Sequence, residues 1–199
     1  LRTRRQRQMC IRDRIFIEPF SCSTLTETKK EFLIEIKKIC KKYKILIIFD
    51  EIYSGFGKCG YDFYFKKYGI TPDIITLSKS LGGGKSSISA YVSNKDVFVK
   101  SYGSLSGSLL HSTTYNSLAE ECATVIETTN IMNDNKLTKN LKNLDIIIKK
   151  KLNYLKSKYP DIISEVRGAG THYGIIFKKK FKLLELSLIH ISEPTRQDR

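Results

Sequence analysis

The chain has 199 residues, 41% of them apolar, and a formal charge of +15. That length supports one domain with a real core, or part of a larger one, and the apolar content excludes a disordered chain. No apolar run is long enough to span a bilayer and no signal peptide is recognisable, so no membrane partner is expected. The five cysteines, Cys10, Cys22, Cys40, Cys59 and Cys122, show no C-x-x-C spacing. That spacing argues against a zinc site or a disulfide framework and for a reducing, cytoplasmic setting.

The charge raises the possibility of a nucleic-acid partner, but its distribution argues against one. Eight of the nine arginines lie at the ends, and between residues 15 and 186 Arg167 stands alone against 26 lysines. The end segments "LRTRRQRQMCIRDR" (1–14) and "SLIHISEPTRQDR" (187–199) resemble translated sequencing-adapter or vector DNA and are set aside from fold reasoning. Without them 27 basic residues face 17 acidic ones, and the lysines are spread over helical faces as solvated surface. No nucleic-acid partner is expected. A basic nucleic-acid-binding module is the rival reading if both ends are genuine.

In chain order, "IFIEP" (15–19) reads as a short strand stopped by Pro19. Thr26 is placed to cap a helix over about 29–43, whose Phe32, Leu33, Ile36, Ile39 and Cys40 recur at helical spacing. "KILIIFD" (44–50) is apolar without alternation, the pattern of a strand buried on both faces of a parallel sheet. "YDFYFKKYG" (61–69) suggests a short aromatic helix ended by Gly69. "DIITLSK" (73–79) and "ISAYVS" (88–93) read as two more buried strands. Residues 117–132 form a helix capped by Asn116 or Ser117, residues 136–159 a long amphipathic helix, and "SEVRGAGTHYGIIF" (164–177) a turn followed by a strand. Strands alternating with helices indicate an α/β fold with a mostly parallel sheet.

"LGGGKSS" (81–87) invites a phosphate-binding loop, but the place five before Gly84-Lys85 holds Lys79 where the motif needs glycine. The stronger constellation begins at Asp50. A buried strand ending in a carboxylate delivers it to the carboxyl edge of the sheet, where α/β proteins bind ligands. A second such strand ends in Lys79. Side by side, the two place an acid and an amine in one crevice, and a desolvated lysine amine is a nucleophile towards carbonyls. Pyridoxal phosphate uses such a pair, although an ordinary strand-end aspartate with a surface lysine would read the same way. His111 and His172 lie far apart in sequence with no acid or cysteine cluster beside them, so no metal is expected.

The stretch "ILIIFDEIYSGFGKCGYDFYFKKYGITPDIITLSKSLGGG", with "IEP" upstream and "HSTTYNSLAEECA" and "EVRGAGTHYGIIF" downstream, resembles the class III (subgroup II) pyridoxal-phosphate aminotransferases, with a leaning to the ornithine and putrescine group. The resemblance covers about residues 15–177. It implies a fold-type I large domain over 15–134 and, over 135–186, a connecting helix and the start of a small carboxyl-terminal domain. It implies pyridoxal 5'-phosphate as cofactor, and transfer of an amino group from an amine or amino acid donor to a 2-oxo acid acceptor. Other fold-type I chemistries, those of aminomutases, racemases and decarboxylases, share the fold.

Carried over onto matching positions, Lys79 is the Schiff-base lysine and Asp50 the acid beside the pyridinium nitrogen. Tyr53 stands where most members have a glutamine near the ring oxygen, and its phenol can donate there. Thr114 matches a threonine that reaches the cofactor phosphate of the partner subunit, which implies a homodimer with composite sites. Gly82 to Gly84 let the backbone turn closely after the lysine. The pattern departs at Lys58-Cys59, where Arg-Thr is usual, and at Ser23, a neutral group in the place of a glutamate that gates a substrate-binding arginine. The family's own-subunit phosphate loop and ring-stacking aromatic fall before Ile15, and most of its small domain falls after Leu186. The chain is therefore expected to be an internal fragment, inactive by itself.

Overall fold

The computed structural model describes residues 13–112, 114–134 and 136–178. Of the end segments set aside above, residues 1–12 and 187–199 lie outside the described residues. Four strands form one sheet in the order β1 (Arg14–Ile17), β2 (Leu46–Asp50), β3 (Ile74–Leu77), β4 (Ala90–Ser93). β1, β2 and β3 run parallel, with Phe16 opposite Ile48 and Asp50 opposite Thr76. β4 pairs antiparallel with β3. Ile47, Ile48 and Phe49 of β2 are buried, as its unbroken apolar run requires. β3 is only half-buried, and β4 is largely exposed rather than a buried strand, because it lies at the edge of the sheet.

Helix α1 (Lys30–Tyr43) carries the chain from β1 to β2. Its inward stripe is narrower than the sequence pattern suggests. Leu33 and Cys40 are buried and Ile36 half-buried, while Phe32 and Ile39 face outward. The Lys29 backbone precedes the first turn without a side-chain cap, and Thr26 hydrogen-bonds Thr24 at 2.7 Å instead of capping the helix. The helix ends where Lys44 turns left-handed and returns its N–H to the Cys40 carbonyl.

The core lies beneath β2. Phe20, Phe49, Tyr64 and Tyr68 pack with Leu33, Ile47 and Ile70. Tyr64 makes edge-on contacts with Phe20 and Tyr68 at 5.4 and 5.7 Å between ring centroids. Each such ring buries enough apolar surface to contribute about 1.5–3 kcal/mol. Both buried phenols are satisfied, Tyr64 by Glu27 at 2.8 Å and Tyr68 by the Pro19 carbonyl at 3.1 Å. The aromatic segment is a single 3-10 turn, Tyr64–Lys67, rather than a full helix.

Helices α2 (Lys95–Tyr102), α3 (Ala119–Asn133) and α4 (Lys136–Lys158) follow. Asn94 caps α2 through a 2.9 Å bond from Val97 N–H. At α3 Leu118 stands in the cap position with no side-chain bond, so neither Asn116 nor Ser117 has the expected role; Asn116 donates to the His111 carbonyl.

The segment read as a turn and one strand is a hairpin of two, β5 (Ile163–Ala169) and β6 (His172–Phe177). Its tip docks on residues 58–60. Thr171 donates its N–H and its hydroxyl to the Lys58 carbonyl at 3.0 and 3.1 Å. Asp145 of α4 accepts from Gly170 N–H at 2.8 Å and from the Tyr173 hydroxyl at 2.6 Å. Gly170 is required there: its φ is +64°, and a Cβ would sit 2.3 Å from the Lys58 carbonyl oxygen.

Gly170→Ala is therefore expected to cost clearly more than the ~1–2 kcal/mol that left-handed backbone alone costs an L residue. Gly69→Ala, also at positive φ but with open space around it, should cost only about that amount. Urea unfolding of the two variants measures the difference.

Candidate functional site

The parallel register sets Asp50 beside Thr76, so the ends of β2 and β3 lie at one edge of the sheet. Asp50 Oδ1 accepts from Ile52 N–H at 2.9 Å and from the Thr76 hydroxyl at 3.2 Å. Both bonds go to the same oxygen, and Oδ2 has no hydrogen-bond partner among the described residues. The carboxylate is thus oriented with one oxygen open.

Past Thr76 the chain enters a tight turn. The Ser78 hydroxyl donates to the Ile88 carbonyl at 3.1 Å, and Lys79 opens a 3-10 turn, Lys79–Gly82, with φ at +50°. Left-handed backbone at a lysine costs energy that the surroundings must supply, and such positions concentrate at functional sites. Gly83 and Gly84 continue at positive φ; a Cβ on Gly83 would lie 2.7 Å from the Thr128 hydroxyl of α3. The Lys79 ammonium is exposed, makes no ion pair among the described residues, and lies 4.9 Å from the centroid of the Tyr53 ring. Asp50 and Lys79 share the sheet edge without pairing to each other.

Tyr53 is the meeting point. Lys58 Nζ lies 5.3 Å from its ring centroid, and the His172 ring meets it edge-on at 4.8 Å. Burial, reinforced by the Cys22 and Cys59 thiols, pushes the Tyr53 phenol above its usual pKa, so it is a proton donor. Burial and the neighbouring Lys79 lower the Lys58 ammonium. Burial, Lys58 and Lys79 lower the His172 imidazole, against a smaller opposing effect of its hydrogen bond to the Lys58 backbone. Three basic groups therefore surround one phenol ring. The sequence marks neither Lys58 nor His172 as a site residue: Lys58 is a departure from the usual arginine, and His172 falls in the segment read as a turn and strand. Only the docking of the hairpin tip, which local patterns do not encode, brings them together.

Glu51, next to Asp50, faces the other way and is 1% exposed. Its carboxyl accepts from the Ser54 hydroxyl at 2.5 Å and from the N–H groups of Tyr64 and Phe65 at 3.0 and 2.8 Å. It ties the loop carrying Tyr53 to the aromatic core, and burial raises its pKa despite these bonds. Cys59 is buried beside it, with a thiol pushed up to about 12 chiefly by desolvation, and is unreactive at neutral pH.

Thr114 is not gathered into this cluster. It lies on an exposed turn, with no hydrogen bond to Asp50, Tyr53 or Lys79. An open groove of about 930 Å³ runs from Ile52 and Thr76 to Tyr115, Asn116 and Leu118, so the Thr114 turn flanks the sheet edge. Ser23 is also exposed, bonded to the Ser21 hydroxyl at 3.2 Å. Among the described residues no group of three His, Cys, Asp or Glu side chains is placed to hold a metal ion, and no helix is long and apolar enough to cross a membrane.

Because His172 titrates below its usual 6.5 in the folded chain, it contributes stability that is present above 6.5 and is lost as pH falls through the lower folded value. Unfolding free energy measured across that window should rise with pH, and His172→Phe should flatten that rise.

The family model described as Aminotransferase class-III matches residues 15–190. The chain is 35% identical over 162 residues to the acetylornithine/succinyldiaminopimelate aminotransferase of Buchnera aphidicola subsp. Acyrthosiphon pisum, covering 79% of this chain and 38% of that protein. It is 34% identical to the putrescine aminotransferase of Pectobacterium atrosepticum, covering 75% of this chain and 31% of that protein. Among solved structures it is similar to the ornithine aminotransferase of Plasmodium yoelii, with a TM-score of 0.73, 29% identity, and coverage of 86% of this chain and 44% of that one. The chain thus spans well under half the length of these relatives.

Proposed function

The chain belongs to the class-III aminotransferase family, and from that premise we propose that the whole protein is a pyridoxal-phosphate-dependent aminotransferase. It would move an amino group from an amine or amino acid donor to a 2-oxo acid. The observation that carries this is the sheet edge. A carboxylate with one oxygen unclaimed and a lysine in strained left-handed backbone end adjacent parallel strands, with an aromatic phenol beside the lysine. That donor set suits a pyridine aldehyde: an amine for the aldehyde carbon, an acid for the ring nitrogen and a phenol for the ring hydroxyl.

When bound, pyridoxal phosphate supplies a sink for the electron pair released at the carbon that bears the amino group. The chain's own residues do the rest. Lys79 Nζ would hold the cofactor at rest; once displaced there by the donor's amine, the freed Nζ would be the base that takes the proton from the donor's amino-bearing carbon and returns it on the cofactor side. Asp50, oriented by Thr76 and the Ile52 N–H, keeps a proton on the ring nitrogen through its free oxygen. Tyr53 donates its phenolic proton to the ring oxygen, where most relatives by motif have a glutamine.

Thr114 donates to the cofactor phosphate of a partner subunit in a cytoplasmic homodimer. Support comes from the turn's surroundings, where Leu105 is 93% and Tyr115 81% exposed, a surface that a second subunit would cover. Residues 15–134 belong to the cofactor-binding large domain, and residues 135–186 connect to and begin the small one. The donors named for the relatives, ornithine, putrescine and acetylornithine or succinyldiaminopimelate, all present a primary amine. Ser23 cannot hold an arginine by charge, so the substrate pocket differs on that side.

Borohydride reduction of the whole protein with pyridoxal phosphate is expected to leave the pyridoxyl group on the peptide containing Lys79. Lys79→Ala should abolish that labelling and donor-to-acceptor amino transfer together. Labelling at a different lysine overturns the assignment.

A further inference from the structure

The Thr114 turn makes no hydrogen bond to the sheet-edge residues, yet it is tied down from another direction. The polar tips of Tyr91, Tyr102 and His111 converge beside it. The Tyr91 hydroxyl of β4 bonds the Tyr102 hydroxyl at the end of α2, Tyr102 bonds His111 Nδ1, and Tyr91 lies 3.2 Å from the same nitrogen. The His111 ring packs at a tilt against both phenol rings, 5.6 Å from each between centroids. Among the described residues, all other hydrogen bonds of residues 104–117 stay within that segment.

The root of this cluster is rigid. Tyr91 stands opposite Thr76 in the sheet, and Thr76 stands opposite Asp50, so one register line fixes both the phenol and the acid. The turn is closed on its other side by Asn116, whose amide donates to the His111 carbonyl at 2.8 Å. Next to it Ser117 has left-handed backbone, with φ at +59°, a conformation the surroundings must hold. His111 thus joins the turn to β4 and α2 through its ring and closes it through its carbonyl. Connected polar networks of this kind rigidify what they join.

We infer that His111 is a positioning residue that fixes the turn presenting Thr114 to the phosphate of the partner subunit's cofactor, with Tyr91 and Tyr102 as its anchors. The inference rests on the proposed role of Thr114 and adds what holds that threonine in place. A hydroxyl that meets an anion across a subunit boundary contributes most when its turn is already ordered, because binding then has no loop to order. The effect belongs to the phosphate alone, since Asp50, Tyr53 and Lys79 serve the ring and the aldehyde.

The test uses the whole protein freed of cofactor. It compares binding of pyridoxal phosphate with binding of pyridoxal, which lacks the phosphate. In His111→Leu the Kd for pyridoxal phosphate should rise about three- to tenfold, the scale of one net hydrogen bond. The Kd for pyridoxal should not change. His111→Asn, whose side-chain oxygen can stand in for Nδ1 as an acceptor, should recover most of the loss, and Tyr102→Phe should reproduce part of it. Thr114→Ala should show the same phosphate-selective loss. His111→Leu should add little in that background, since two residues acting through one contact are not additive.

Equal losses for the two aldehydes, an asparagine variant no better than the leucine one, or a His111→Leu loss that adds in full to that of Thr114→Ala each overturn the inference and leave the Thr114 reading intact. If Thr114→Ala binds pyridoxal phosphate as tightly as the wild type, the Thr114 reading falls and the inference falls with it.

Discussion

The parallel pairing of β2 with β3 is the constraint on which the site depends. One register, Asp50 opposite Thr76, brings an acid and a lysine to the same edge of the sheet and lets the threonine orient the acid. Parallel strands leave their carboxyl ends together, so side chains that follow the last apolar residue of each strand meet there without any further device. Slipping the pairing by one residue would turn Asp50 to the opposite face and break the contact. The buried Ile47, Ile48 and Phe49 hold the register against such a slip.

Around that edge, two anchored loops complete the arrangement. Glu51 fixes the loop after β2 to the aromatic core through three donors, so Tyr53 is presented from a rigid base. Asp145 and the Lys58 carbonyl hold the tip of the β5–β6 hairpin, which carries His172 to the far side of the Tyr53 ring. Removing Glu51 would leave buried donors unsatisfied, at about 1–3 kcal/mol each. The strained turn at Lys79 is affordable because the sheet on one side and α3 packed on the glycines on the other leave it no alternative path.

Much of this was legible in the sequence, and the parts that were not share a physical cause. The strand of residues 46–50 announces itself because burial on both faces demands an unbroken apolar run; the same runs place Asp50 at the end of β2 and Lys79 just past β3, while their roles come only from the resemblance. The apolar Ala90, Tyr91 and Val92 suggest a buried β4, whereas the edge position that exposes them is a property of the sheet and not of the segment. The caps expected at Thr26 and Asn116 do not form because those side chains have nearer partners in their own turns, and Ser117 stands one residue before the cap position that Leu118 takes. Arg167 and Gly168 lack strand character, so β5 is not legible from local propensity; pairing with β6 supplies what that propensity does not. His172 is invisible as a site residue because it reaches Tyr53 only through a contact between segments more than a hundred residues apart, whereas Lys58 sits in the Tyr53 loop and carries no motif that marks it.

In the proposed site Asp50 and Lys79 face one cofactor from adjacent strand ends. The most direct measurement is the ¹⁵N chemical shift of the ring nitrogen of isotopically labelled pyridoxal phosphate in the whole protein. A protonated nitrogen is expected at neutral pH in the wild type and an unprotonated one in Asp50→Asn, with Lys79 still labelled by borohydride in both. A ring nitrogen whose protonation is the same in the two proteins would contradict it.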